Sequence, residues 1–184
     1  MRWHARAFEN TQLPQVNLAA DFIAREQAGG KKTVAVSAGH MAWTLVGRYE
    51  DEAWAIPFDV HMNVYDQVDG YRKNAPDGAL VLRLGYCGFH KSESELFQSK
   101  HNRVLLITAP HESPDFRYTA NLPVQISTMA AFGDACVTIK GYPLRMFPVT
   151  GWMQVLAYES VNVEVLDRMG KPRPAEKADA AAGQ

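Results

Sequence analysis

The sequence has little cysteine, almost no net charge and no long apolar run. Among its 184 residues the only cysteines are Cys87 and Cys136, which are too few for a disulfide framework and too far apart for a CxxC pair. A formal net charge of -1 gives no field that draws the chain to nucleic acid or to an anionic membrane. No apolar run approaches the ~18 residues of a membrane span, and residues 1–6 lack the apolar core of a signal peptide. These absences favour a cytoplasmic protein that binds neither nucleic acid nor membrane.

The chain does contain enough apolar residues for one folded domain. Hydrophobic residues make up 47% of it, which is ordinary for a globular protein. Its length suits one sizeable core and is short for two. We predict a single domain over residues 1–169. Residues 170–184 lack apolar periodicity and are predicted to be a disordered tail.

Short apolar runs alternate with helical patterns along the chain. The patterns predict helices over 18–27, 40–49, 92–100 and 150–169, and strands over 33–36, 53–56, 79–84, 103–108 and 135–139. In the first helix, Leu18, Phe22 and Ile23 share one face, and Gly29-Gly30 ends it.

Alternating strands and helices predict an α/β fold with a doubly wound parallel sheet. Thr33–Val36, Leu80–Leu84 and Val104–Ile107 are expected to be its central strands, because runs with so little polar alternation suit strands covered on both faces. Ligands in such sheets bind beyond the carboxyl ends of the strands.

The first strand leads directly into a turn that can hold an anion. Ser37 and Gly39 supply a hydroxyl and a close backbone approach, and His40 opens the next helix. Thr150 offers a second hydroxyl at the start of the last helix. Two structural alternatives stay open, since Ser37 is also a common turn residue and Thr150 a common N-cap.

Four segments, taken in order, resemble the sugar isomerase (SIS) family. They are VAVSAGHMAWTLVGRY (34–49), VDGYRKNAPDGALVLRLGYCG (68–88), RVLLITAP (103–110) and FGDACVTIKGYPLRMFPVTGWMQVLAYESVNVEVL (132–166). The resemblance implies a three-layer α/β/α sandwich with a five-stranded parallel, flavodoxin-like sheet. It also implies a sugar-phosphate ligand, a role in carbohydrate metabolism, no cofactor, and a homodimer or homotetramer with sites at subunit interfaces.

The resemblance places the ligand between three parts of the chain. These are the 37–40 turn, the 85–88 loop and the start of the last helix. The predicted ligand-binding residues are Ser37, Gly39, His40, Gly85, Tyr86, Cys87, Gly88, Thr150 and Gln154.

Several residues depart from the family pattern. The loop after the third strand carries Tyr86, Cys87 and His90 where the family has phosphate-binding hydroxyls. Thr44 stands where phosphoheptose isomerases have a catalytic glutamate, and Asn162 where they have a histidine, although Gln154 matches. Aldose–ketose isomerisation needs a base, and neither replacement can serve as one at neutral pH.

Two histidines are candidate replacement bases. His40 lies at a helix N-terminus, where the dipole favours its neutral form, and it can instead bind ligand or be structural. His61 follows the second strand, where a solvated loop histidine is the usual alternative. No metal site is predicted, since the histidines are scattered, although His40 and Gln154 retain half of a zinc-like set that Tyr86 or Cys87 could complete.

The sequence leaves three functions open. The chain is a sugar-phosphate-binding SIS protein with isomerase activity, a non-catalytic sugar-phosphate sensor, or an oligomeric assembly module. Assembly is expected because apolar residues cover more of the last helix than one packing face needs. These residues are Trp152, Met153, Val155, Leu156 and Tyr158.

Overall fold

The structure is a computed structural model, and it describes residues 2–37, 56–59, 76–85, 91–109, 122–129, 137–138, 140–141, 145–146 and 149–170. Its helices are α1 (Arg2–Ala28), α2 (Lys91–Ser99) and α3 (Val149–Arg168). Its strands are β1 (Thr33–Ser37), β2 (Ile56–Asp59), β3 (Leu80–Gly85), β4 (Arg103–Thr108), β5 (Gln125–Ser127), β6 (Val137–Thr138) and β7 (Arg145–Met146).

Strands β1 to β5 pair in parallel in the order β2-β1-β3-β4-β5. The predicted parallel α/β sheet is therefore confirmed, and β1, β3 and β4 occupy its centre as expected. Strand β3 is buried along its whole length, and β4 is buried from its second residue onward. Apolar residues can fill both faces of these strands because helices cover both sides.

The two faces of the sheet carry separate apolar clusters. Leu80, Leu82 and Leu84 pack with residues of α1 and α3, whereas Val81 packs with Leu96 of α2. Side chains alternate between the faces along a strand, so β3 contributes to both clusters. Each fully buried leucine contributes roughly 1.5–3 kcal/mol to folding.

Helix α1 is much longer than predicted. It begins at Arg2 and contains Pro14, whereas the prediction began at Leu18. The predicted apolar face was also wrong at Leu18, which is 46% exposed. Ile23 is buried as predicted, and Ala19 and Ala20 are buried in place of Leu18. The helix ends as predicted, with Gly30 at a φ of +81° that favours glycine.

Two strand predictions were wrong. The second strand was placed before Pro57, but β2 is Ile56–Asp59 and contains it. In the described sheet β2 is an edge strand, where a residue without an N–H donor is tolerated. The fifth strand was placed at 135–139, but β5 is Gln125–Ser127. Val137–Thr138 pairs antiparallel with Arg145–Met146 in a separate two-stranded ribbon.

Candidate functional site

The carboxyl ends of four neighbouring strands meet at one edge of the sheet. In the pairing register, Ser37 of β1 lies opposite Leu84 of β3. Gly85, the next residue, lies opposite Thr108 of β4, and Thr108 lies opposite Ser127 of β5. This edge is where parallel α/β sheets bind their ligands.

Gln154 connects α3 to this edge. Its side chain is fully buried, and its Nε2 donates a hydrogen bond of 2.5 Å to the carbonyl oxygen of Gly85. Thr150 lies one turn earlier on the same helix and is also fully buried. The structure therefore brings together Gly85 and Gln154, two of the predicted ligand-binding residues, and places Thr150 a turn away from them.

The Oε1 atom of Gln154 has no hydrogen-bond partner among the described residues. An unpaired acceptor at full burial typically costs about 1–3 kcal/mol. A ligand hydroxyl that donated to this oxygen would remove that cost. The Nε2 group of Gln154 thus binds the end of β3, and no described residue donates to its Oε1.

Thr128 is a residue that the sequence reasoning missed. It follows β5, its backbone N–H donates to the carbonyl oxygen of Thr108 at 2.9 Å, and its side chain is fully buried. Its Oγ1 has no partner among the described residues. The next residue, Met129, has a φ of +56°, a left-handed conformation that costs a non-glycine residue roughly 1–3 kcal/mol.

Helix α1 holds this segment in place. The Ser127 N–H donates to Oε1 of Gln12 at 2.9 Å, and Nε2 of Gln12 contacts Sδ of Met129 at 3.7 Å. Backbone strain of this kind is common at binding sites. No sequence signal indicated Thr128, because the three residues of β5 contain a single buried apolar side chain, Ile126.

A buried ion pair lies beneath the end of β3. Nε and Nη2 of Arg83 donate to Oε1 and Oε2 of Glu93 at 3.2 and 3.1 Å. The side chains are 0% and 1% exposed. Val36 and Leu106 flank Arg83 on the neighbouring strands. Sequence reasoning missed this pair because Arg83 occurs within an otherwise apolar run.

Gly85 lies directly against this ion pair. A Cβ atom on Gly85 would be 1.5 Å from Nη1 of Arg83 and 2.4 Å from its Cζ. No side chain fits there while the guanidinium keeps its position. Gly85 was predicted only to bind ligand, and the structure adds this packing requirement.

Further along α3, Asn162 is buried and its Nδ2 donates to Oε2 of Glu159 at 3.3 Å. Burial, assisted by the neighbouring charge of Glu159, raises the pKa of Tyr158 to about 12. Tyr158 is therefore a neutral phenol near pH 7 and does not act as a base there. Glu164 forms a partly exposed pair with Arg168 at 2.7 Å.

Several predicted site residues lie outside the described residues. They are Gly39, His40, Thr44, His61, Tyr86, Cys87, Gly88 and His90. For Ser37 the structure gives the backbone, which ends β1. Within the described ranges no three His, Cys, Asp or Glu side chains form a group that could hold a metal ion. None of the helices in those ranges is both long and apolar enough to cross a membrane.

Comparison with known proteins identifies the fold. No family model and no curated protein matches the chain. Solved structures do match, among them two that align over most of their length. One is a candidate phosphosugar isomerase involved in capsule formation from Bacteroides fragilis, with 16% identity, a TM-score of 0.62, and coverage of 92% of this chain and 87% of that one. The other is a phosphoheptose isomerase from Francisella tularensis, with 10% identity, a TM-score of 0.58, and coverage of 89% and 91%.

The fold is thus a parallel α/β fold with its open edge at the carboxyl ends of the strands. More specifically, it is the fold of phosphosugar isomerases, so the resemblance to the SIS family is confirmed at the level of the fold.

Proposed function

We propose that this chain is an SIS protein that binds a sugar phosphate beyond the carboxyl ends of β1, β3, β4 and β5. One observation carries the proposal. The buried amide of Gln154 is bound to Gly85 through Nε2, and its oxygen has no partner among the residues that the structure describes. Sugars are rich in hydroxyl donors, which suit such an oxygen. The fold shared with phosphosugar isomerases supports a phosphorylated ligand.

The anionic end of the ligand is proposed to bind at the turn after β1 and at the start of α3. Ser37 and Thr150 would donate hydroxyl hydrogen bonds, and the amides of Gly39 and Gly88 would line the other side of the anion. Thr150 lies in the first turn of α3, where the helix dipole is positive. Tyr86, Cys87 and His40 complete the proposed contacts.

Isomerase activity is the more specific part of the proposal, beyond the binding of a sugar phosphate. It requires a base, and Asn162 cannot supply one. His40 or His61 would therefore have to move the proton between the adjacent carbons of an aldose or ketose phosphate. Binding without turnover, as in a sugar-phosphate sensor, is the alternative that the replacement of both acid–base residues favours.

The whole domain is proposed to be a three-layer α/β/α sandwich over residues 1–169 that works in the cytoplasm as a homodimer or homotetramer. Trp152 and Leu156, one turn apart on α3, are 46% and 39% exposed. An exposed apolar pair beside the site suits an interface between copies of the chain. An assembly module without a ligand would need this surface, but it would not need buried oxygens that lack a partner in the described part of the chain.

A thermal-shift screen tests the proposal. The panel contains glucose 6-phosphate, fructose 6-phosphate and sedoheptulose 7-phosphate, each beside its free sugar, with inorganic phosphate as a further control. We expect Tm to rise with at least one sugar phosphate and not with its free sugar. Interconversion of the two hexose phosphates, followed by NMR, separates an isomerase from a sensor. If no sugar phosphate raises Tm, sugar-phosphate binding is wrong and the assembly module stands.

A further inference from the structure

The stability of the fold does not by itself explain why the ion pair between Arg83 and Glu93 is buried at this position. Both side chains are removed from water, and the loss of hydration offsets much of the attraction between buried charges. Apolar side chains of similar volume are often as stable in such places. On the neighbouring strands, the buried apolar residues Val36 and Leu106 flank Arg83.

The pair joins two elements that border the proposed site. Arg83 is two residues before the end of β3, and Glu93 lies in the first turn of α2. Two parallel hydrogen bonds hold the planar guanidinium in one orientation. The pair therefore fixes the carboxyl end of β3 relative to the amino end of α2.

Gly85 transmits this constraint to Gln154. The guanidinium occupies the space beside the Cα atom of Gly85, because a Cβ there would be 1.5 Å from Nη1. The carbonyl oxygen of the same residue accepts the hydrogen bond from Nε2 of Gln154. A shift of the guanidinium would move Gly85, and with it the amide that presents Oε1 to the ligand.

We propose that Arg83 and Glu93 are positioning residues for the ligand site. Held by Glu93, the guanidinium of Arg83 sets the place of Gly85, and Gly85 sets the orientation of the Gln154 amide that accepts a hydroxyl of the sugar phosphate. This inference rests on the proposed function. The pair acts through Gly85, and its effect is on the affinity for ligand more than on the stability of the fold.

A double variant tests the inference. Arg83→Met combined with Glu93→Leu removes both charges and keeps apolar volume, so we expect unfolding by urea close to that of the wild type. Its affinity for the sugar phosphate that gives the largest thermal shift in the screen above should fall at least tenfold in calorimetric titration. The matched control, Asp77→Asn with Lys100→Gln, removes a pair at the opposite end of the sheet and should bind like the wild type.

A second measurement uses the unaltered chain. The Nε–H resonance of Arg83, assigned by its loss in Arg83→Lys, should exchange slowly with water before ligand is added and should shift when the same sugar phosphate saturates the protein. A folded double variant with wild-type affinity, or an Arg83 resonance that ligand leaves unchanged, overturns the inference. If the wild type binds none of the sugar phosphates, the proposed function fails and this inference fails with it.

Discussion

Thr128 carries a hydroxyl that is buried without a partner among the described residues. We expect Thr128→Val to leave the free energy of unfolding unchanged or to raise it by about 1 kcal/mol, because valine has nearly the same shape and no unpaired polar atom. If the hydroxyl bonds to ligand, the same change should lower the affinity for a sugar phosphate roughly tenfold, the loss of one such bond. Urea unfolding and calorimetric titration measure the two effects separately.

The control for Thr128 is Thr128→Ser. Serine keeps the hydroxyl and loses a methyl group, so it should bind ligand like the wild type while losing about 1 kcal/mol of stability. A Thr128→Val protein with wild-type affinity would show that the hydroxyl does not contact the ligand.

Tyr158 makes stability depend on pH in the alkaline range. Its folded pKa is raised to about 12, above the ordinary value of about 10. The unfolded chain therefore releases the phenolic proton first as the pH rises. The stability linked to this group is complete below about pH 10 and is lost between about pH 10 and pH 12.

We expect Tyr158→Phe to reduce this loss. Between pH 9.5 and pH 11.5 the free energy of unfolding of the variant should decline less than that of the wild type, by roughly 2 kcal/mol. Urea unfolding at a series of pH values gives the comparison. Parallel curves for the two proteins would mean that the phenol ionises equally easily in both states.

At the scale of elements, α1 contains a proline that costs it stability. Pro14 is exposed within the helix and has no N–H to donate to the carbonyl of Asn10. Proline in a helix interior is about 3 kcal/mol less favourable than alanine. Proline also restricts the unfolded chain, and this effect offsets up to about 1 kcal/mol of that cost. We expect Pro14→Ala to raise the free energy of unfolding by about 2 kcal/mol in urea titrations.

Glu9→Ala is the control for Pro14. Glu9 is also an exposed residue of α1, and its replacement should change stability by no more than about 0.5 kcal/mol. A Pro14→Ala protein no more stable than the wild type would indicate that a bend at Pro14 is needed for the contacts of Gln12 with β5.

The elements also show what the sequence could and could not predict. Strands β1, β3 and β4 were predictable because helices cover both of their faces and leave continuous apolar runs. Strand β5 was not, since only Ile126 is buried in it. Helix α1 was predicted too short because Pro14 and the exposed Leu18 obscure its pattern.

The residues of the site also differ in whether the sequence could indicate them. The start of the last helix indicated Thr150 from local sequence, and the resemblance to phosphoheptose isomerases indicated Gln154. Glu93 and Arg83 are ten residues apart, and their contact arises only when α2 packs on the sheet. Thr128 depends equally on tertiary structure, because its burial follows from the pairing of β4 with β5.

The exposed apolar pair on α3 is proposed to join copies of the whole molecule. Trp152→Glu should disrupt a homodimer or homotetramer, because it places a charge in the exposed apolar pair that Trp152 forms with Leu156. Light scattering at micromolar concentration should give an oligomer for the wild type and a smaller species for the variant. Gln98→Glu, on α2 at the other face of the sheet, should behave like the wild type. A monomeric wild type would contradict the assembly proposal.

Helices α1 and α3 pack together on one face of the sheet although more than a hundred residues separate them in the sequence. Val16, Ala19 and Ile23 of α1 share a cluster with Val161 and Val165 of α3, and Arg168 binds Asp21 at 2.5 Å. During synthesis, the apolar face of α1 is therefore made long before the residues of α3 that pack against it. Closing contacts of such long sequence separation is slow. The residues of α1 that α3 covers in the folded protein consequently lack that cover until α3 has left the ribosome.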